Sequence, residues 1–229
     1  MKTFGKEIWS KKMKEQGDLG VIAGVRAKRK NIDTQTRDVL SFFDKEVRPL
    51  LKGNKAIDIG VGPTSRFLIG LSKLGLIVDG IDVSPIILDE AKKRAELAGV
   101  TSSKFFDIDI TKESPKGKYD LVFCFGTFGH FPGYTALEVM RTFHQMLNKQ
   151  GICMIHFWKS KNLSLRNILS NALYDFMRLV KLKFVKKTYL VSSTFYSEED
   201  IKEMCGRTGF SLVKMAERPN YFIAVMFKK

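Results

Sequence analysis

The sequence predicts a doubly wound α/β domain with a mostly parallel sheet, and three observations carry that reading. Short apolar runs of strand character alternate with helical patterns from residue 56 to residue 158. The run Ala56-Ile57-Asp58-Ile59-Gly60-Val61-Gly62-Pro63-Thr64 reads as a buried strand entering a glycine turn. After Gly75, the run Leu76-Ile77-Val78-Asp79-Gly80-Ile81-Asp82 reads as a second strand that ends on a carboxylate. Together they make one nucleotide-binding half of such a sheet.

The elements follow in order. Residues 1–55 are polar and helical in pattern, with a loop expected around Gly17 to Gly24 and a basic knot at Arg26–Lys30. Thr36 to Leu51 has helical spacing through Val39, Phe42, Phe43 and Val47, and Pro49 marks its end. The helix after the glycine turn is expected to be capped near Thr64 or Ser65, to bury Phe67, Leu68, Leu71 and Leu74, and to stop at Gly75. Ser84-Pro85 opens the next helix with proline at its first position, and Gly99 closes it. Strand patterns recur at Ser103–Phe106, Tyr119–Phe125 and Gly151–Trp158, with a helix over Tyr134–Leu147. A helix over Ser197–Arg207 then leads to Phe210–Met215 and Tyr221–Phe227. The link between these two strands is too short for a parallel crossover, so they form an antiparallel hairpin.

Composition bounds the chain further. The 44% hydrophobic content supports a packed core, and no apolar run reaches membrane-spanning length. Met1 to Lys14 lacks the apolar stretch of a signal peptide, and Cys124, Cys153 and Cys205 are few and dispersed. A cytoplasmic location is expected, with neither a disulfide framework nor a metal site. The formal net charge of +15 is uneven: basic residues exceed acidic ones by seven over 1–55, by none over 56–158, by seven over 159–196 and by one thereafter. The central segment is neutral, and the excess lies in two flanking segments.

The chemistry concentrates at the strand ends. Gly60 permits a sharp turn, Gly62 permits close backbone approach, and the following helix offers free N–H groups. Asp82 suits a pair of ribose hydroxyls, and Asp107 suits an exocyclic amine. Val83 and Ile108 supply apolar walls for a base. A dinucleotide fingerprint requires Gly or Ala where this chain has Ser65, and the negative Asp58 is poor company for a pyrophosphate. Asp58 instead suits a ligand with an ammonium group, such as the methionine part of S-adenosylmethionine.

At these residues the chain resembles the class I S-adenosylmethionine-dependent methyltransferases of small-molecule type, from about Ala56 to the C-terminus. Asp58 to Thr64 is similar to their first motif and Gly80-Ile81-Asp82-Val83-Ser84-Pro85 to the second. Phe106-Asp107-Ile108 resembles the adenine-edge motif and Tyr119 to Phe125 the fourth. The resemblance implies a Rossmann-like, seven-stranded, mostly parallel sheet with an antiparallel last strand. It also implies S-adenosylmethionine as cofactor, with S-adenosylhomocysteine as product. Asp58, Gly60, Gly62, Asp82, Val83, Asp107, Ile108 and Phe125 are its expected binding residues. Residues 1–55 would form a helical cap and 159–196 a basic lid insert on a 56–229 core.

The acceptor is less constrained. His130 lies just past the fourth strand, where a neutral imidazole can deprotonate an acceptor hydroxyl or amine; the alternative is a histidine that only packs. His156 reads as a core histidine and His144 as incidental. Phe123, Phe125, Phe128 and Phe131 suggest a phenylalanine-rich cleft edge. A small, anionic organic acceptor is the first expectation. RNA held by the basic segments is one alternative. A lipid-like acceptor is another, met at an anionic membrane surface through the basic amphipathic stretch Asn162–Val185.

Overall fold

A computed structural model describes residues 4–23, 29–131, 133–160 and 194–229. The basic knot around Arg26–Lys30 and nearly all of the expected lid therefore lie outside the described residues or side chains.

The sheet has seven strands in the order β3-β2-β1-β4-β5-β7-β6. They are β1 (Lys55–Ile59), β2 (Ile77–Asp82), β3 (Phe105–Asp107), β4 (Tyr119–Cys124), β5 (Leu147–Trp158), β6 (Phe210–Glu217) and β7 (Tyr221–Lys228). The first five run parallel, while β7 is antiparallel to both neighbours. The order reverses between β1 and β4, which opens a crevice at the carboxyl ends of those strands.

Among the described residues six α-helices surround the sheet: α1 (Phe4–Ala23), α2 (Arg29–Phe42), α3 (Arg66–Lys73), α4 (Pro85–Leu97), α5 (Gly133–Met146) and α6 (Glu198–Arg207). Two apolar layers close its faces. One packs α2, α3 and α4 on Ala56, Val78, Leu121, Phe123, Met154 and Val225. The other packs α5 and α6 on Ile57, Val122, Cys124, Ile155 and Ala224. The parallel strands are covered on both sides, which is why they read as nearly continuous apolar runs. The cysteines are free and buried and act as small core hydrophobes.

Several local expectations are refined. The break expected from Gly17 narrows to that residue, which is non-helical at φ 63°, ψ −167° and joins two helical stretches within α1, while Gly24 lies outside the described residues. The helix expected to end at Pro49 instead widens into a π turn (Phe43–Val47) and then a 3-10 turn (Arg48–Leu50). That widening accompanies the full burial of Phe43 and Val47. Ser65 is left-handed at φ 48° and does not cap α3; its hydroxyl donates to the Ala91 carbonyl at 2.8 Å, tying α3 to α4. Ser84 does cap α4, and Ser197 forms a reciprocal capping box with Asp200. Strand β5 starts four residues before Gly151, with Gln150 left-handed beside an irregularity in its pairing with β4.

Candidate active site

The site is assembled at the carboxyl ends of four adjacent strands. Gly60 N–H and Val61 N–H both donate to the Ile81 carbonyl, at 2.8 and 2.9 Å, which folds the glycine turn across β2. Gly60 has φ 73°, and a methyl group there would meet Thr127 Oγ1 at 2.1 Å. Glycine is therefore required twice over, by conformation and by space. The Thr127 partnership is not visible in sequence, because 67 positions separate the two residues.

Asp82 and Gly62 meet directly: Gly62 N–H donates to Asp82 Oδ2 at 3.3 Å and Ser84 N–H to Oδ1 at 3.1 Å. The Val83 N–H also reaches this carboxylate, and acceptor capacity remains for a further donor. Burial nevertheless raises the Asp82 pKa to about 6, with those backbone donors opposing the rise. Asp58 is 2% exposed, and its Oδ2 has no hydrogen-bond partner. Burial lifts its pKa to about 7, against the pull of the nearby Arg66. Arg66 itself is anchored in α2, donating to the Ile32 carbonyl (3.2 Å), Thr36 Oγ1 (3.0 Å) and Gln35 Oε1 (3.1 Å).

Asp107 pairs in register with Asp82 across β3 and β2. Its carboxylate is taken by Lys6 Nζ at 2.6 Å, a contact across 101 positions that no local pattern announces. Helix α1 lies along this part of the site. Ser10 Oγ is 2.9 Å from Ser84 Oγ, and a methyl group on Gly5 would lie 3.8 Å from both Val83 methyls. Trp9 stands edge-on to His130 at 5.0 Å. Ile108 is partly buried against the core, and its N–H donates to the Asp82 carbonyl at 3.3 Å.

The phenylalanine-rich cleft edge is corrected in part. Phe123 and Phe128 are fully buried, and Phe125 is packed among Phe67 (4.8 Å), His156 (4.3 Å) and Tyr221 (5.7 Å). Apolar burial on a sheet covered on both faces draws these rings inward. Phe125 thus stands at the strand end, with its ring committed to the core. His156 is 4% exposed with an unpartnered Nδ1, and burial lowers its pKa to about 3, so the imidazole is neutral. His130 sits between Trp9 and Trp158, the latter at 4.7 Å. His144 packs edge-on to Phe210. Asp120 is structural: it accepts from Lys55 N–H at 3.0 Å and from Asn148 Nδ2 at 2.8 Å.

Comparison with known proteins bears on the family and the fold. A family model described as a methyltransferase domain matches residues 28–215. Magnesium protoporphyrin IX methyltransferase of Arabidopsis thaliana is 28% identical over 170 residues, covering 72% of this chain and 48% of the plant protein. The chain thus spans about half the length of that relative. The structure of magnesium protoporphyrin IX methyltransferase from Synechocystis PCC 6803 with bound S-adenosylmethionine superposes with TM-score 0.67 at 20% identity. It covers 98% of this chain and 97% of that one. An O-methyltransferase family protein from Burkholderia thailandensis gives 0.64 at 14%, covering 85% and 56%.

Proposed function

This chain belongs to the methyltransferase-domain family, and from that premise we propose that it transfers a methyl group from S-adenosylmethionine to an oxygen or nitrogen of a small, anionic organic acceptor. The observation that carries the cofactor is Asp58: a carboxylate 2% exposed, with one oxygen unpartnered, beside a glycine turn. A buried anion with one oxygen left without a donor is costly, and an ammonium group is the ligand chemistry that relieves it.

The other residues fit the same ligand. Gly60 and Gly62 let it approach the backbone, and the remaining acceptor capacity of Asp82 suits ribose hydroxyls. Val83 and Ile108 flank a base, with Asp107 at its edge once Lys6 yields. Phe125 marks the end of β4 beside the methionine part. When bound, the cofactor supplies an already activated methyl group on its sulfonium. The protein's task is then to align the acceptor and exclude water. His130, held between two indoles past β4, takes the proton from the acceptor hydroxyl or amine.

In this reading residues 1–55 cap a 56–229 core whose basic insert spans 159–196. The three reduced thiols fit a cytoplasmic setting. No helix among the described residues is long and apolar enough to cross a membrane. Calorimetry tests the cofactor: S-adenosylmethionine and S-adenosylhomocysteine should both bind, and Asp82→Ala should weaken each at least tenfold. Failure of both ligands to bind the wild-type protein would end the proposal. A labelled-methyl screen of cell extract, split into small-molecule, RNA, lipid and protein fractions, identifies the acceptor class.

A further inference from the structure

We infer that the acceptor subsite is built for a planar aromatic acid, received on the ring surface of Trp9, His130 and Trp158 and paired with the ammonium of Lys12. The inference rests on the methyltransferase reading and deepens it by naming the acceptor's chemistry.

The chain has two tryptophans, and both flank His130. Trp158 ends β5, His130 follows β4, and Trp9 comes from α1, so three separate elements converge on one surface. None of these three rings is fully buried, unlike the core rings Phe123, Phe128 and Phe157. The surface runs outward to Phe195, which is 51% exposed with its ring 5.9 Å from Trp158. It runs inward to His156, whose Nδ1 is buried without a partner 6.4 Å (ring to ring) from Trp158.

The surface is preformed. A methyl group on Gly129 would meet the Trp158 indole at 2.5 Å, so that ring seats directly on the glycine. Tyr196 N–H donates to the Trp158 carbonyl and Thr194 N–H to the Gly129 carbonyl, both at 2.8 Å, which stitches the rim in place. Aromatic faces and edges at such spacings favour another flat ring over an aliphatic group of equal size.

Charge selects the rest of the ligand. Lys12 Nζ lies 4.7 Å from the centre of the Trp9 ring, half-buried, and burial lowers its pKa. Among the described residues no carboxylate pairs with it. Among the described residues the other cations of this rim are paired: Lys6 with Asp107, Lys11 with Glu15 and Lys159 with Glu217. One unpaired cation beside a flat ring surface matches a single carboxylate on an aromatic ring. Repeated RNA phosphates call for a track of free cations, which the described part of this rim does not hold.

With two tryptophans, a 15N–1H spectrum of the whole protein shows two indole N–H signals, assigned by Trp9→Phe and Trp158→Phe. The probes, in the presence of S-adenosylhomocysteine, are benzoate, benzyl alcohol and cyclohexanecarboxylate, which separate the ring from the charge. Benzoate should move both signals saturably, at least fivefold tighter than either analogue. Lys12→Met should bring benzoate down to benzyl alcohol while leaving the ring preference intact. Equal affinity for the three probes, unmoved indole signals, or tighter binding of a short RNA than of benzoate would each overturn the inference. Calorimetry with S-adenosylhomocysteine keeps the two readings apart. If it binds and benzoate does not discriminate, only the subsite fails; if it does not bind, the methyltransferase reading fails and the subsite with it.

Discussion

Replacing Asp58 by Asn should stabilise the free protein while destroying its cofactor site. The folded pKa of about 7 stands above the ordinary 3.8 because the carboxylate is buried. The folded state therefore holds the proton more tightly than the unfolded one, and stability falls as pH rises from about 4 through 7. At about 1.36 kcal/mol per pKa unit, this costs the folded state about 4 kcal/mol at pH 8, where the buried group is ionised, and about 2 kcal/mol at pH 5, where it is protonated while the unfolded chain's carboxylate is not. Asparagine has the same shape and keeps an oxygen for the Leu68 N–H that the carboxylate accepts from, yet carries no charge. Urea unfolding at both pH values, wild type against Asp58→Asn, isolates this group because every other titration cancels in the difference. The variant's advantage should grow from pH 5 to pH 8 by about 2 kcal/mol. S-adenosylmethionine at about 100 times its Kd should add about 2.7 kcal/mol to the wild type at pH 8 and nothing measurable to the variant. An advantage independent of pH, or undiminished stabilisation of the variant by cofactor, would refute the assignment.

Two further outcomes follow from the geometry. Lys6→Met frees Asp107 from an exposed ion pair of at most about 1 kcal/mol, so cofactor affinity by calorimetry should rise by up to about fivefold. The gain should vanish in an Asp107→Asn background. Tyr119→Phe removes the 3.0 Å hydrogen bond from its hydroxyl to the buried Asp79 carboxylate. It should cost about 1–3 kcal/mol in urea unfolding without changing cofactor affinity.

What the sequence made legible was local. The glycine turn, the carboxylate ending β2, the Ser84-Pro85 helix start and the short link of the closing hairpin each depend on residues a few positions apart. Their chemistry specifies backbone conformation directly, and the structure places them as read. Phe123 and Phe128 went astray for a related reason. On a sheet covered on both faces, period-two alternation no longer marks which side faces ligand, so an apolar strand end reads alike as cleft or core. Ser65 was misread because its hydroxyl prefers a distant carbonyl on α4 to the helix beside it.

Helix α1 was the least legible part and alters the site most. In sequence it is a polar, charged segment with no apolar stripe to announce a docking face. It docks through polar and aromatic contacts to residues 74 to 121 positions away: Ser10 to Ser84, Lys6 to Asp107 and Trp9 to His130. These three contacts lie within five residues, a little over one helical turn, so a single docking event engages Ser84 just past β2, the Asp107 carboxylate and the His130 ring together. Release of one contact weakens the hold on the others. The ion pair is exposed and individually weak, and Gly17 supplies a non-helical joint behind it. In the proposed reading one helix sets Lys6 beside the cofactor and Lys12 beside the acceptor, so Lys6→Met and Lys12→Met, a turn and a half apart, are expected to act on different ligands.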